Sequence, residues 1–257
     1  MISLWTAATG MESMKFKIEV IANILANTNT DGFKRTEVDF SDLLYQYRRT
    51  PSVGDSPTGT SVGLGVKVAG TAIMHKQGSM KVTENQMDLA INGRGFFKFK
   101  DAVTGQDVFS RNGAIKQDNT GAFVSTTGFI LDPAITLSPE QQFSHMSEDG
   151  KVWVRTAGTG TLTQASQLTL TDFPNPAGLQ AIGNSYFIPT GASGEPITGN
   201  PKLNGLGSVV SGALEASNVQ IVHEMVDLIS TQKAFDTNSK VVSVSDKMMD
   251  TANNLTR

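Results

Sequence analysis

The strongest constraint on this chain lies at its start, where Leu4, Ala7, Met11, Met14, Ile18, Ile21 and Leu25 recur at alternating spacings of three and four. On a helix that spacing places every one of these side chains on a single stripe, the seam of a heptad. The other faces carry Glu12, Ser13, Lys15, Lys17, Glu19 and Asn23, mixed in sign. The helix therefore seeks protein rather than an anionic lipid surface. Its stripe must be covered, by its own domain or by another helix.

The opposite end repeats the theme. Ser217 and Gln220 have the spacing of a capping box, and the pattern after them runs nearly to Arg257 without a proline. Ile221, Met225, Leu228, Phe235, Val242 and Met249 lie near one stripe, which Val222, Val226 and Ile229 widen. Gln232, Ser239 and Asp246 interrupt it, which predicts several packing partners instead of one clean seam. Terminal helices of this kind pair with each other or with further copies of the chain.

The middle has another texture. Residues 31 to 49 are charged and mixed, and include Phe40, Leu43 and Leu44. Residues 50 to 66 hold one charge, Asp55, beside Pro51, Pro57 and the glycines Gly54, Gly59, Gly63 and Gly65, which is linker composition. From about Lys67 to Gly212 short alternating runs such as Phe96-Phe97-Lys98-Phe99 and Lys151-Val152-Trp153-Val154-Arg155 are punctuated by Asn112-Gly113, Thr120-Gly121 and Asp149-Gly150. These are the marks of a many-turned β domain.

Composition excludes more than it selects. With no cysteine there is no disulfide frame, thiolate zinc site or cysteine nucleophile. A net charge of -3 gives no electrostatic reason to bind nucleic acid or an anionic membrane, and Arg48-Arg49 is too small a basic cluster to imply nucleic acid. His75, His145 and His223 are scattered, so no metal is expected, and His223-Glu224 reads as a solvated or interfacial pair. Gly63-Leu64-Gly65 and Gly93-Arg94-Gly95 are turns rather than phosphate cradles, and no cofactor is implied. No window is apolar enough to span a bilayer, and no signal peptide is expected at the start.

Residues 20 to 34, running Val-Ile-Ala-Asn-Ile-Leu-Ala-Asn-Thr-Asn-Thr-Asp-Gly-Phe-Lys, resemble the signature of the bacterial flagellar rod and hook axial protein family. Ile24 stands where that family usually has a second Asn. Residues 90 to 97, 109 to 113 and 214 to 219 resemble further family blocks in family order. The opening residues, the piece from Asp42 to Gln46 and the Pro/Gly/Ser segment resemble the distal rod members, and the chain is shorter than the similar hook protein.

The resemblance implies an α+β fold. Terminal helices, residues 1–31 and 217–257, would pair as a coiled-coil-like inner domain. An extended connector, 32–70, would carry the insert 50–66, and a β-rich outer domain would cover 71–216. The implied role is structural rather than enzymatic: a subunit of a straight, rigid helical homopolymer in the basal body, crossing the periplasm and transmitting torque. Subunit contacts would come from Leu4, Met11, Met14, Ile18, Ile21, Leu25, Asn27, Ile221, Met225, Leu228, Phe235, Val242 and Met249. Phe40, Leu43 and Leu44 resemble an export motif read by the flagellar type III apparatus, and a packing anchor is the alternative. Pro51, Gly54, Pro57, Gly59 and Gly63 belong to the stiffening insert. Partners would be further copies, proximal rod and hook proteins at the ends, and bushing rings around the rod. A related hook or proximal rod subunit, a wall-degrading hydrolase and an exported adhesin-like module are the competing readings.

Overall fold

A computed structural model describes residues 2–49, 59–156 and 160–255, and the chain divides into two compact units. The first gathers residues 1–26, 36–73 and 220–257, and the second gathers residues 27–35 and 74–219.

The first unit is built on helices α1 (Ile2–Ala26) and α2 (Ile221–Leu255), which pack on each other. Between its ends α2 has neither glycine nor proline, which accounts for its uninterrupted length. Gln220 stands at its N-cap and its carbonyl accepts the Glu224 amide at 3.0 Å, while the Ser217 hydroxyl accepts from the Val219 amide at 3.3 Å. The expected capping box is therefore absent, because Ser217 closes a local turn before the helix begins. On α1 the buried residues are Ala7, Gly10, Ser13, Ile21 and Ile24; on α2 they are Glu224, Thr231 and Ser245. A Cβ added to Gly10 would sit 2.8 Å from the Asn238 amide nitrogen, so the helices meet closely where the side chain is smallest.

A two-stranded ribbon completes this unit. Strand β1 (Thr36–Asp42) pairs antiparallel with β4 (Val66–Ile73), with a register shift at Asp39/Phe40, and β2 (Tyr45–Arg49) pairs with β3 (Thr60–Gly63). The Leu43 amide to the Gly65 carbonyl (2.8 Å) and the Leu64 amide to the Leu44 carbonyl (3.1 Å) join the two pairs into one ribbon. A side chain at Gly65 would collide with Thr9 of α1. Of the linker-like insert, Gly59 to Val66 is thus described and partly stranded, while Pro51, Gly54 and Pro57 lie outside the described residues.

Among its described residues the second unit is strand and turn, with one 3-10 helix at Pro176–Gly178. Its main sheet runs β16 (Gln180–Gly183), β17 (Tyr186–Ile188), β8 (Asp107–Ser110), β7 (Phe96–Lys100), β11 (Ile130–Asp132), β10 (Phe123–Ser125), β9 (Ile115–Gln117). From this path β15 (Leu170–Asp172) branches to pair with β7 and with β18 (Ile197–Gly199). A second sheet is β12 (Gln141–Met146), β13 (Lys151–Thr156) and β14 (Leu162–Gln167). Two further pairs join β6 (Leu89–Asn92) to β19 (Ser208–Ser211) and β5 (Met80–Val82) to β20 (Ala213–Glu215).

The core follows from the alternation in sequence. On β13, Val152 and Val154 are buried, while Trp153 on the other face stacks on His145. On β7, Phe96, Phe97 and Phe99 are buried, and the intervening Lys98 pairs with Asp107 (3.1 Å) and Asp132 (2.7 Å). Phe109 and Phe173 meet edge to face with centroids 4.9 Å apart, a favoured aromatic geometry. One contiguous cluster runs from Leu89 and Ile91 through Ile115, Leu131 and Leu168 to Val209.

Candidate assembly surface and buried junction

In the first unit the apolar residues of α2 divide between a half-buried seam and an exposed face. Leu228, Phe235 and Val242 are half-buried, spaced alternately with Glu224, Thr231, Asn238 and Ser245 along the side that carries the buried positions. Ile221, Met225 and Met249, expected on the same stripe, are exposed, together with Val222, Val226 and Ile229. Toward the C-terminus Val244, Met248, Ala252 and Leu255 line an open groove with Lys247 and Thr251. On α1, Ile21 is buried, while Leu4, Met11, Met14, Ile18 and Leu25 are half-buried. Trp5 on the same helix is 72% exposed, a residue that the heptad seam does not include.

Asn27 is half-buried at the start of the second unit. Phe40 and Leu43 are half-buried on and beside β1, and Leu44 is exposed beyond it. Gly59 is exposed, and Gly63 pairs with Tyr45 across β2 and β3. Among the described residues no cluster of His, Asp or Glu is placed to hold a metal, and no helix is long and apolar enough to cross a membrane. His223 lies 3.7 Å from Asp227, and Glu224 is 1% exposed. The expectation of a solvated His223-Glu224 pair is corrected for Glu224, which the helix turns inward while His223 stays exposed.

The second unit holds a cluster that spacing alone does not reveal. Glu215, at the end of β20, is fully buried, and one of its carboxylate oxygens, Oε1, accepts from the Lys34 ammonium at 2.5 Å and from the Gly78 amide at 2.8 Å. The other faces Arg111 Nη1 at 3.4 Å. Arg111 Nη2 donates to the Gly93 carbonyl at 2.9 Å, and its guanidinium lies over the Phe96 ring, 5.3 Å from the centroid. Lys34 Nζ also donates to the Lys76 carbonyl at 2.9 Å, and the Gly32 amide to the Glu215 carbonyl at 2.7 Å. The segments 20–34, 109–113 and 214–219, far apart in sequence, thus meet at one carboxylate, and the segment 90–97 joins them through Arg111.

Electrostatics explain why these partners are needed. Two cations and one carboxylate are withdrawn from water together, and each would be costly alone. Burial pushes the Lys34 ammonium below its ordinary value, and the Glu215 charge opposes that fall. Burial likewise lowers Arg111, again opposed by Glu215. His75 packs edge-on against Phe96 and Phe187, at 5.4 and 5.2 Å between centroids. Burial, then repulsion from Lys34 and Arg111, pushes its pKa down to about 4, so the ring is neutral near pH 7. Gly32 takes φ +72°, and a Cβ there would lie 2.7 Å from the Asn112 amide nitrogen, so the turn before Lys34 requires glycine. The one available sequence signal was a charge set inside small or apolar neighbours, as in Ala213-Leu214-Glu215-Ala216.

The same segments carry the relationship to known proteins. A family model described as the flagellar hook protein FlgE/F/G D1 domain matches residues 90–154, and one described as the flagellar basal body rod FlgEFG protein C-terminal region matches residues 210–255. The flagellar basal-body rod protein FlgG of Agrobacterium fabrum is 39% identical over 96% of this chain and 97% of its own length. FlgG of Borreliella burgdorferi is 39% identical over 100% of this chain and 99% of its own, and FlgG of Caulobacter vibrioides 36% identical over 99% of each. With similarity running from the terminal helices through the β-rich unit, the chain belongs to the FlgG family of flagellar basal-body rod proteins, structural proteins of the flagellum.

Proposed function

We propose that the chain is a distal rod subunit that polymerises into a straight, rigid helical tube and transmits torque, without a catalytic step of its own. The carrying observation is the exposed apolar face of α2. Val222, Met225, Val226 and Ile229 near its start, and Val244, Met248 and Leu255 near its end, leave methyl and thioether groups in water along one helix. Further copies of the chain cover them in the polymer, through heterologous contacts that repeat without closing.

In this reading α1 and α2 pair as a coiled-coil-like inner domain. The buried Thr231 and Ser245 with the half-buried Asn238 between them, seven residues apart, and the close approach of Asn238 to Gly10 of α1, support that pairing. The β-rich unit faces outward, toward bushing rings, and the rod meets proximal rod and hook proteins at its ends. Residues 50–66 stiffen the polymer by packing between subunits, and Phe40, Leu43 and Leu44 serve recognition by the type III export apparatus. The bounds 1–31 with 217–257, 32–70 and 71–216 describe the working parts of the assembled subunit.

The test is to place a charge on the exposed face. Val226→Asp is expected to leave the soluble subunit folded and to stop polymerisation. A variant that assembles as the parent does would remove α2 from the interface. Deleting residues 50 to 66 is expected to give a flexible or curved polymer, and an unchanged straight rod would take the stiffening role from that insert.

A further inference from the structure

We infer that Asn218 is a positioning residue: its side-chain amide ties together three of the four places where the chain passes between its two units, and so sets the direction in which α2 and the ribbon leave the β-rich unit. The chain makes four such passages, after residues 26, 35, 73 and 219. Asn218 stands just before the last. Its Oδ1 accepts from the amide of Arg35, the residue before the second passage, at 2.8 Å. Its Nδ2 donates to the carbonyl of Met74, the residue after the third, at 2.8 Å, and to the Lys76 carbonyl at 3.0 Å.

This use of the side chain is specific to an amide. Asparagine offers an acceptor and two donors in one plane, and all three are engaged here. Aspartate would set a carboxylate oxygen against two carbonyl oxygens, and alanine would leave the amide and both carbonyls without the side chain. The surroundings hold the same strands from behind. The Met74 amide donates to the Arg35 carbonyl at 2.8 Å, and the Ala216 amide to the Ser79 carbonyl at 2.9 Å. Lys34, one residue before Arg35, bonds both Glu215 and the Lys76 carbonyl that Asn218 shares. Three of the four exits, those at Arg35, Met74 and Asn218, are thus gathered within one hydrogen-bonded knot belonging wholly to the β-rich unit. A residue that only stabilised the fold would have no reason to select the ends of these passages.

The absence of cysteine makes the experiment clean. Lys67→Cys on β4 and Lys116→Cys on β9, both exposed, take spin labels, and pulsed dipolar spectroscopy on the full-length monomer reads the width of the distance distribution. Asn218→Ala and Asn218→Asp are expected at least to double that width, while the amides of Phe97 and Phe109 keep their parental exchange protection. Unchanged width in both variants would overturn the inference. So would loss of protection at Phe97 and Phe109 in both, since Asn218 would then serve folding of the unit and not its exits. Only the consequence for the rod rests on the proposed polymer: straight rods built from a broadened Asn218→Asp subunit would refute that consequence, whereas a subunit that never polymerises would refute the proposed function and leave the monomer result standing.

Discussion

The two units of this protein treat their large apolar side chains in opposite ways. In the β-rich unit Phe96, Phe97, Phe99 and Phe109 are each at most 1% exposed. On α2, Val222 is 77% exposed, Met248 62% and Leu255 82%. Burying a side chain of this size from water is worth about 1.5–3 kcal/mol. The β-rich unit has collected that stabilisation internally, whereas the helical unit has left it for another surface. On the proposed function, the aromatic core of the β-rich unit is complete within one chain, while the exposed side chains of α2 are covered by other copies.

The comparison breaks most readily at the buried junction. Glu215→Gln leaves Lys34 and Arg111 buried without their carboxylate. Breaking a buried pair from one side costs about 3–5 kcal/mol, and that loss is expected in chemical denaturation of the β-rich unit. A loss under about 1 kcal/mol would mean that water already reaches the cluster.

The next effect is pH dependence. Because the folded pKa of His75 is depressed to about 4 from 6.5, the unfolded chain binds the proton first as pH falls. The stability from this group is complete above pH 6.5 and is lost as pH falls toward 4, by at most about 3 kcal/mol at about 1.36 kcal/mol per unit. His75→Phe keeps an aromatic ring against Phe96 and Phe187 and is expected to flatten that part of the stability profile. An identical slope in parent and variant would place the titration elsewhere.

A smaller change is expected where α1 meets α2. Gly10→Ala gains helix propensity of about 1 kcal/mol but pushes against the Asn238 side chain, so the two effects nearly cancel wherever α1 packs on α2. The smallest effect on folding is expected on the exposed face. Met225→Asp should change monomer stability by no more than about 0.5 kcal/mol, as surface substitutions do, while abolishing polymer detected by sedimentation. Large loss of monomer stability from Met225→Asp, together with normal assembly, would reverse the contrast between the units.

Much of the strand content was legible because period-two alternation is a local signal. Phe96 to Phe99 and Lys151 to Arg155 each read as a strand and each forms one. The terminal helices were legible for the same reason, through spacing at three and four. What sequence could not give was rotation about the helix axis. Leu228, Phe235 and Val242 suit two adjacent seams, one through Ile221, Met225 and Gln232 and one through Glu224, Thr231 and Ser245. Apolar content favoured the first, whereas the buried residues follow the second, on which Asn238 comes close to Gly10 of α1. Nor could spacing assemble Lys34, Arg111 and Glu215, since contacts across such sequence separations leave no periodic trace. The resemblance marked their segments, and only the structure supplies the charge cluster that joins them.

The central claim is that the terminal helices complete their burial in the polymer. Amide hydrogen exchange on full-length monomer and on assembled rods tests it most directly, because exchange reports local opening free energy along the chain. Rapid exchange is expected across residues 1–26 and 220–257 in the dilute monomer, with strong protection of both in the rod and protection of Phe97, Phe99 and Phe109 in either state. Terminal helices as protected in the dilute monomer as these core strands would contradict it.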